Sequence, residues 1–154
     1  MKEEYAKGNL TKASELGDAM LTEHWRSDDP YESLADDMFN IGVIHDELGQ
    51  YDRAISLYSD SVCYLAGTGD FLALALRYSN LGGALAHAGA LEPAKHFFEQ
   101  AKRIYKHDYG KKHPLYADMV TAWLTCYSCQ KVKKKKSLAS LSCTQVQLSS
   151  MLKP

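Results

Sequence analysis

Apolar side chains recur three and four residues apart in two stretches of the chain: Leu34, Met38, Ile41, Val43, Ile44 and Leu48, then Leu76, Tyr78, Leu81, Leu85 and Ala88. This spacing lines one face of an α-helix, so each stretch predicts the first helix, A, of a pair. Gly49 and Gly89 follow directly. A residue without a Cβ takes the left-handed conformation that ends a helix at little cost, so these glycines predict where each A helix stops. Beyond them, Ala54, Tyr58 and Val62, and Ala94, Phe98, Ala101, Ile104 and Tyr105, form small-large-small stripes on second helices, B. The small residue admits the neighbouring helix and the aromatic fills the space beyond. Gly42 and Gly82 fall inside the A helices, where glycine loses about 1 kcal/mol to alanine. That loss is tolerable where another helix packs on bare backbone.

The pattern repeats. Gly8-Asn9-Leu10-Thr11-Lys12-Ala13, Gly49-Gln50-Tyr51-Asp52-Arg53-Ala54 and Gly89-Ala90-Leu91-Glu92-Pro93-Ala94 share Gly-x-(Leu/Tyr)-x-x-Ala, with the alanines 41 and then 40 residues apart. Ala35-x5-Ile41-Gly42 and Ala75-x5-Leu81-Gly82 precede two of them, and Ala117-x5-Trp123-Leu124 follows the third. The expectation is an all-α superhelix of about six to seven antiparallel helices spanning 1–130. It divides into a helix B over 9–25, pairs over 31–65 and 72–108, and a helix A over 114–130. Only eight residues precede the first turn, so helix 9–25 is expected to lack its own helix A. Leu16, Met20, Leu21 or Trp25 would then be partly uncovered, to be covered by capping, by self-association through the incomplete terminal repeats, or by neighbouring sequence.

These residues resemble the tetratricopeptide repeat. Gly42, Ala54, Gly82, Ala94 and Ala101 match its small positions, and Met38, Ile41, Tyr58, Tyr78, Leu81, Leu85 and Phe98 its bulky ones. The join Tyr109-Gly110-Lys111-Lys112-His113-Pro114-Leu115-Tyr116-Ala117 is similar to the Gly-x-x-His-Pro-x-x-Ala linker of kinesin-light-chain-like repeats, and Ala75 to Ala117 is 42 residues, as that longer subtype would have it. Pro114 suits the first turn of a helix, where its missing N–H would be unpaired anyway. His45 at a usually bulky position, Leu124 in place of the third glycine, and the absence of the B motif after Cys129 depart from the family pattern.

The resemblance implies that the A helices line a concave peptide-binding surface. Carried over by position, the groove residues are Asp36, Phe39, Asn40, Val43, Asp46 and Glu47 in the first full unit. They are Leu76, Ser79, Asn80, Gly83, Ala86 and His87 in the second, and Asp118, Thr121, Ala122, Thr125, Ser128 and Cys129 in the third. Asn40 and Asn80 recur at one place in adjacent units, and a side-chain amide offers the acceptor and donors that an extended peptide backbone needs. The alternative is that both simply face water. Asp36, Asp46 and Glu47 make one end acidic, which predicts a peptide with a basic residue near the first helix. The lysines and arginine of a carboxylate clamp for chaperone tails are missing from these positions.

Composition narrows the function classes. The chain has 154 residues, 45% apolar and 24% charged, which is ordinary for one globular domain. Its net charge of −1 hides an asymmetry: six of the 18 Lys+Arg follow Gln130 while all 19 Asp+Glu precede it. The 12 basic residues against 19 acidic ones before that point leave −7, and the tail carries +6. Nucleic-acid or membrane-surface binding is therefore expected of the tail or not at all. With no signal sequence and no membrane span, a cytoplasmic location is expected. Cys63, Cys126, Cys129 and Cys143 have no regular spacing and predict reduced thiols, Cys126-x-x-Cys129 included.

None of the six histidines forms an i, i+4 pair with another. No nucleophile elbow, phosphate loop or dinucleotide fingerprint occurs. The expectation is therefore no catalytic site, no metal and no cofactor. Trp25 and Trp123 read as core. Residues 131–154 read as a basic, Ser/Thr-rich tail, either disordered or forming a short capping helix on Leu138, Leu141, Leu148, Met151 and Leu152. The function expected is an interaction scaffold with a protein or peptide partner. The alternative is the regulatory or sensor part of a larger signalling enzyme or transcriptional regulator.

Overall fold

Three turns of one design organise the molecule, at Gly8, Gly49 and Gly89, where φ is +79°, +74° and +90°. In each, the glycine N–H donates to the carbonyl three residues back, on Tyr5, Asp46 or Ala86. The next N–H donates to the carbonyl five back, on Glu4, His45 or Leu85, at 2.8–2.9 Å. This pairing satisfies carbonyls that a helix end otherwise leaves open.

The computed structural model describes residues 1–24, 31–125 and 127–128, with the side chains of 31–33 excepted. The helices are α1 Lys2–Ala6, α2 Leu10–His24, α3 Tyr31–Glu47, α4 Tyr51–Leu65, α5 Phe71–His87 and α6 Leu91–Ile104, the last running into a π-helical stretch Tyr105–Tyr109. A further helix, α7, covers 114–125. No strand occurs among the described residues. Asp70 caps α5 by accepting the Ala73 N–H at 2.9 Å, the role for which a short acidic side chain before a helix is suited. Trp25, Cys126, Cys129, Gln130 and the tail 131–154 lie outside the described residues.

Each helix packs on its neighbours in sequence, and α3 also touches α5 across α4. The core is accordingly a chain of local clusters, as in stacked repeats. Leu21, Leu34, Met38, Ile41 and Leu57 form one, and Ala54, Tyr58, Leu81 and Ala84 the next. Ala75, Ala86, Ala94, Phe98, Ala101, Tyr105 and Met119 form a third, against which Leu115, Val120 and Trp123 of α7 pack. At the other end α1 stops with the same turn as α3 and α5, and so stands where the last turn of an A helix would. Met1 packs on the first cluster. Leu21 is buried beneath it, while Leu16 and Met20 remain exposed.

The internal glycines show how closely the helices approach. A Cβ on Gly42 would lie 2.8 Å from the Tyr58 ring, and one on Gly82 would lie 3.0 Å from the Phe98 ring. The aromatic of each B helix thus sits in a hollow that only a glycine of its A helix leaves. Gly83, one residue on, has nothing within 4 Å of the same position. Alanine should therefore act in opposite directions at Gly42 and at Gly83. Gly42→Ala is expected to destabilise by about 1–3 kcal/mol through overpacking. Gly83→Ala is expected to stabilise by up to about 1 kcal/mol, because helix propensity is gained with no clash. Urea unfolding of the two variants measures both signs.

Two polar clusters, each centred on a buried side chain, tie repeats together. Arg77, 3% exposed, donates from Nε to Ser61 Oγ at 2.7 Å, from Nη1 to the Ala73 carbonyl at 3.2 Å, and from Nη2 to the Asp36 carboxylate. Its guanidinium lies 4.9 Å from the centre of the Phe39 ring. Ser61 passes its own proton to the Ala35 carbonyl at 2.6 Å. One arginine of α5 thereby holds α3 and α4. The second cluster centres on His45, whose Nδ1 is 2.6 Å from Gln50 Oε1 and whose Nε2 is 3.4 Å from Asp18 of α2. Asp18 also accepts from Arg53 at 2.8 Å.

Candidate functional site

Residues 76, 79, 80, 83 and 87 of α5 fall three or four apart, so helical geometry sets Leu76, Ser79, Asn80, Gly83 and His87 on one face. In α7 the same rule groups Leu115, Asp118, Met119 and Ala122, with Thr121 and Thr125 beside them. The two faces meet over a trough of about 590 Å³, to which Asp46 of α3 and Tyr105 also contribute. This is within the range of sites that enclose part of a ligand. The trough joins nine of the expected groove residues of the second and third units, Ala122 and Asp118 included, to Asp46 of the first. Ala86 is instead buried in the core.

Other first-unit positions are engaged elsewhere. Asn40 and Val43 line a smaller hollow of about 210 Å³ with Met1, Lys2, Tyr5 and Ile44. Glu47 accepts a hydrogen bond from Tyr5 Oη at 2.6 Å. Phe39 packs against Tyr58, with ring centres 5.6 Å apart, and Asp36 holds Arg77. Asn40 therefore faces the gap between α1 and α3, whereas Asn80 faces the gap between α5 and α7. Position 46 of α3 reaches His87 of α5, with Asp46 Oδ1 3.1 Å from Nδ1. This contact repeats the one from Tyr5 to Glu47 one unit earlier.

Inside the trough the small polar groups are turned back onto their own helices. Ser79 Oγ donates to the Ala75 carbonyl at 3.0 Å and Asn80 Nδ2 to the Leu76 carbonyl at 2.9 Å. Thr121 and Thr125 donate to the carbonyls of Ala117 and Thr121 at 2.8 Å. The His87 ring lies 5.2 Å from that of Tyr51. Burial pushes the Tyr105 hydroxyl above the ordinary tyrosine range, with Tyr109 and Asp118 adding to the effect and Ser79 opposing it. His113, at the start of α7, stacks on Tyr105 with centres 6.5 Å apart and lies 5.3 Å from Tyr109.

A larger hollow of about 820 Å³ lies between Phe71 and the end of α6, walled by Gln100, Arg103, Ile104, Lys106, His107 and Asp108. Most of these are exposed, with Gln100 and Ile104 half-buried. No group of three or more His, Cys, Asp or Glu among the described residues is placed to hold a metal ion. No helix among them is long and apolar enough to cross a membrane.

Residues 74–115 match the family model of the tetratricopeptide repeat. The matched stretch takes in nearly all of α5, α6 and the turn into α7, which is the hairpin whose first helix forms one wall of the trough. Together with the stacked helices it supports a tetratricopeptide-type repeat protein. Such repeats are in general protein–protein interaction modules. No curated protein matches this chain.

The sequence pattern did not point to Arg77 as a structural centre. A basic residue flanked by Leu76 and Tyr78 in the middle of an A helix is the one signal that marks it.

Proposed function

We propose that the protein is an interaction scaffold that binds an extended peptide segment of a partner protein in the trough between α5 and α7, with no chemistry of its own. The observation that carries this reading is the convergence of Asn80, Gly83, Thr121, Thr125 and Asp46 on one concave, mostly apolar hollow. The bare backbone at Gly83 leaves room for a strand-like ligand to approach closely, and Asn80 retains an acceptor and a second donor for its main chain. The 42-residue interval from Ala75 to Ala117 and the linker holding Gly110, His113 and Pro114 support the longer, kinesin-light-chain-like kind of repeat.

Gly83→Leu tests the site without threatening the fold, since it fills open space and favours the helix. Peptides selected on the full chain from a random extended library should lose at least about tenfold in affinity for this variant, roughly the effect of losing one well-placed contact. Thermal stability should be equal or higher. Unchanged affinity in fluorescence polarisation would remove the trough from the account.

A further inference from the structure

Resting on the trough reading above, we infer that this site selects a partner segment carrying a lysine or arginine, because the trough offers hydrogen-bond acceptors and negative charge but few donors. The hydroxyl protons of Ser79, Thr121 and Thr125, and one amide proton of Asn80, are committed to helix carbonyls. What the three hydroxyls present to a ligand is lone pairs, and Asn80 adds its carbonyl oxygen and one remaining N–H. Two carboxylates, Asp46 on α3 and Asp118 on α7, contribute to the lining, and among the described lining residues there is neither lysine nor arginine.

The floor suits the rest of such a side chain. Leu76, Leu115 and Met119 with the bare Gly83 give an apolar surface along which a lysine or arginine stem can lie while its charged head reaches a carboxylate. An acidic side chain finds no lysine or arginine among the described lining residues, and the His87 ring already faces Asp46 at 3.1 Å. Like-charge juxtaposition would exclude it. Asp118 is exposed at the helix surface, so its charge can be changed without disturbing the core.

The test uses end-blocked ten-residue peptides of one apolar framework with a central Lys, Arg, Gln or Glu, titrated by fluorescence polarisation against the full chain, Asp118→Asn, Asp118→Lys and Gly83→Leu. The Lys and Arg peptides should bind at least about tenfold more tightly than the Gln peptide, and the Glu peptide should bind least. Asp118→Asn should reduce the preference for Lys and Arg severalfold, and Asp118→Lys should invert it. Raising salt should weaken the basic peptides more than the Gln peptide.

Equal binding of all four peptides that Gly83→Leu abolishes would overturn the charge selection and leave the trough standing as a peptide site. Binding that neither Asp118 nor Gly83 variants alter would overturn both. An unlabelled peptide of residues 131–154 that displaces the Lys peptide more effectively than the Lys peptide itself would name this chain's own basic tail as the better occupant and overturn the assignment to a partner.

Discussion

Tyr58→Ala is expected to lower the unfolding free energy by about 3–5 kcal/mol, the cost of emptying a large aromatic site in a core that cannot collapse. Tyr58 is fully buried, its ring covers the bare backbone of Gly42, and its cluster joins α4 and α5 through Ala54, Leu81 and Ala84 and takes in Phe39 and Val43 of α3. The loss would be a large share of the roughly 5–15 kcal/mol that holds a domain together. Tyr58→Phe should behave differently. The hydroxyl is buried without a hydrogen-bond partner among the described residues, so removing it should leave stability unchanged or raise it by about 1 kcal/mol.

The same hydroxyl predicts a pH signature. Burial, reinforced by Asp46 and Glu47, pushes its ionisation well above the ordinary range. Its neutral form is therefore favoured in the folded state, and the stabilisation is complete below the unfolded pKa of about 10. Above that pH the unfolded chain ionises first, and stability falls by up to about 1.4 kcal/mol per pH unit for this group. Circular dichroism from pH 8 to 12 should show a shallower alkaline loss for Tyr58→Phe. A Tyr58→Ala variant within about 1 kcal/mol of the parent would contradict the packing described.

The second large effect is an asymmetry across one ion pair. Asp36→Ala should cost about 3 kcal/mol, near the lower end for stranding a buried charge, because Arg77 is 3% exposed while the Asp36 side chain is 71% exposed. Ser61 and the Ala73 carbonyl would remain as its acceptors. Arg77→Met should cost less than about 1 kcal/mol. It removes the charge that needed compensation, keeps an unbranched chain beside Phe39, leaves Asp36 in water and leaves Ser61 bonded to the Ala35 carbonyl. Paired urea titrations decide it. If Arg77→Met proves the more damaging, the guanidinium contributes more than it costs and the ranking fails.

Much of the fold is legible in the chain because its determinants are local. A glycine at the point where one run of helical period stops and a new stripe begins reads as a helix end, and Gly49 and Gly89 are such ends. The small-large-small stripes identify Tyr58 and Phe98 as the rings that meet Gly42 and Gly82, since both the hollow and the ring recur at one interval. The positions of the trough wall enter the sequence reading through the resemblance to the tetratricopeptide repeat, and helical period accounts for why those of α5 and of α7 each share a side. What escapes is set by side-chain direction and length. Asp36 and Glu47 look like free acids of a groove, yet one is bound by an arginine reaching from the next repeat and the other by Tyr5. The first helix, α1, is five residues long, too short for periodicity to register. Its contact with α3 could not be read. Nor does spacing show that Asn80 and the trough hydroxyls turn their protons inward, which is what gives the site its acceptor character.

The central claim is that a peptide lies along the joined faces of α5 and α7. Amide chemical-shift mapping of the isotope-labelled full chain, with the tightest selected peptide added to saturation, tests it most directly. The account predicts the largest changes at Asn80, Gly83, Thr121 and Thr125, with Arg103 and Lys106 on the outer hollow unmoved. Changes concentrated on Phe71, Arg103 and Lys106, with Asn80 and Gly83 still, would contradict it.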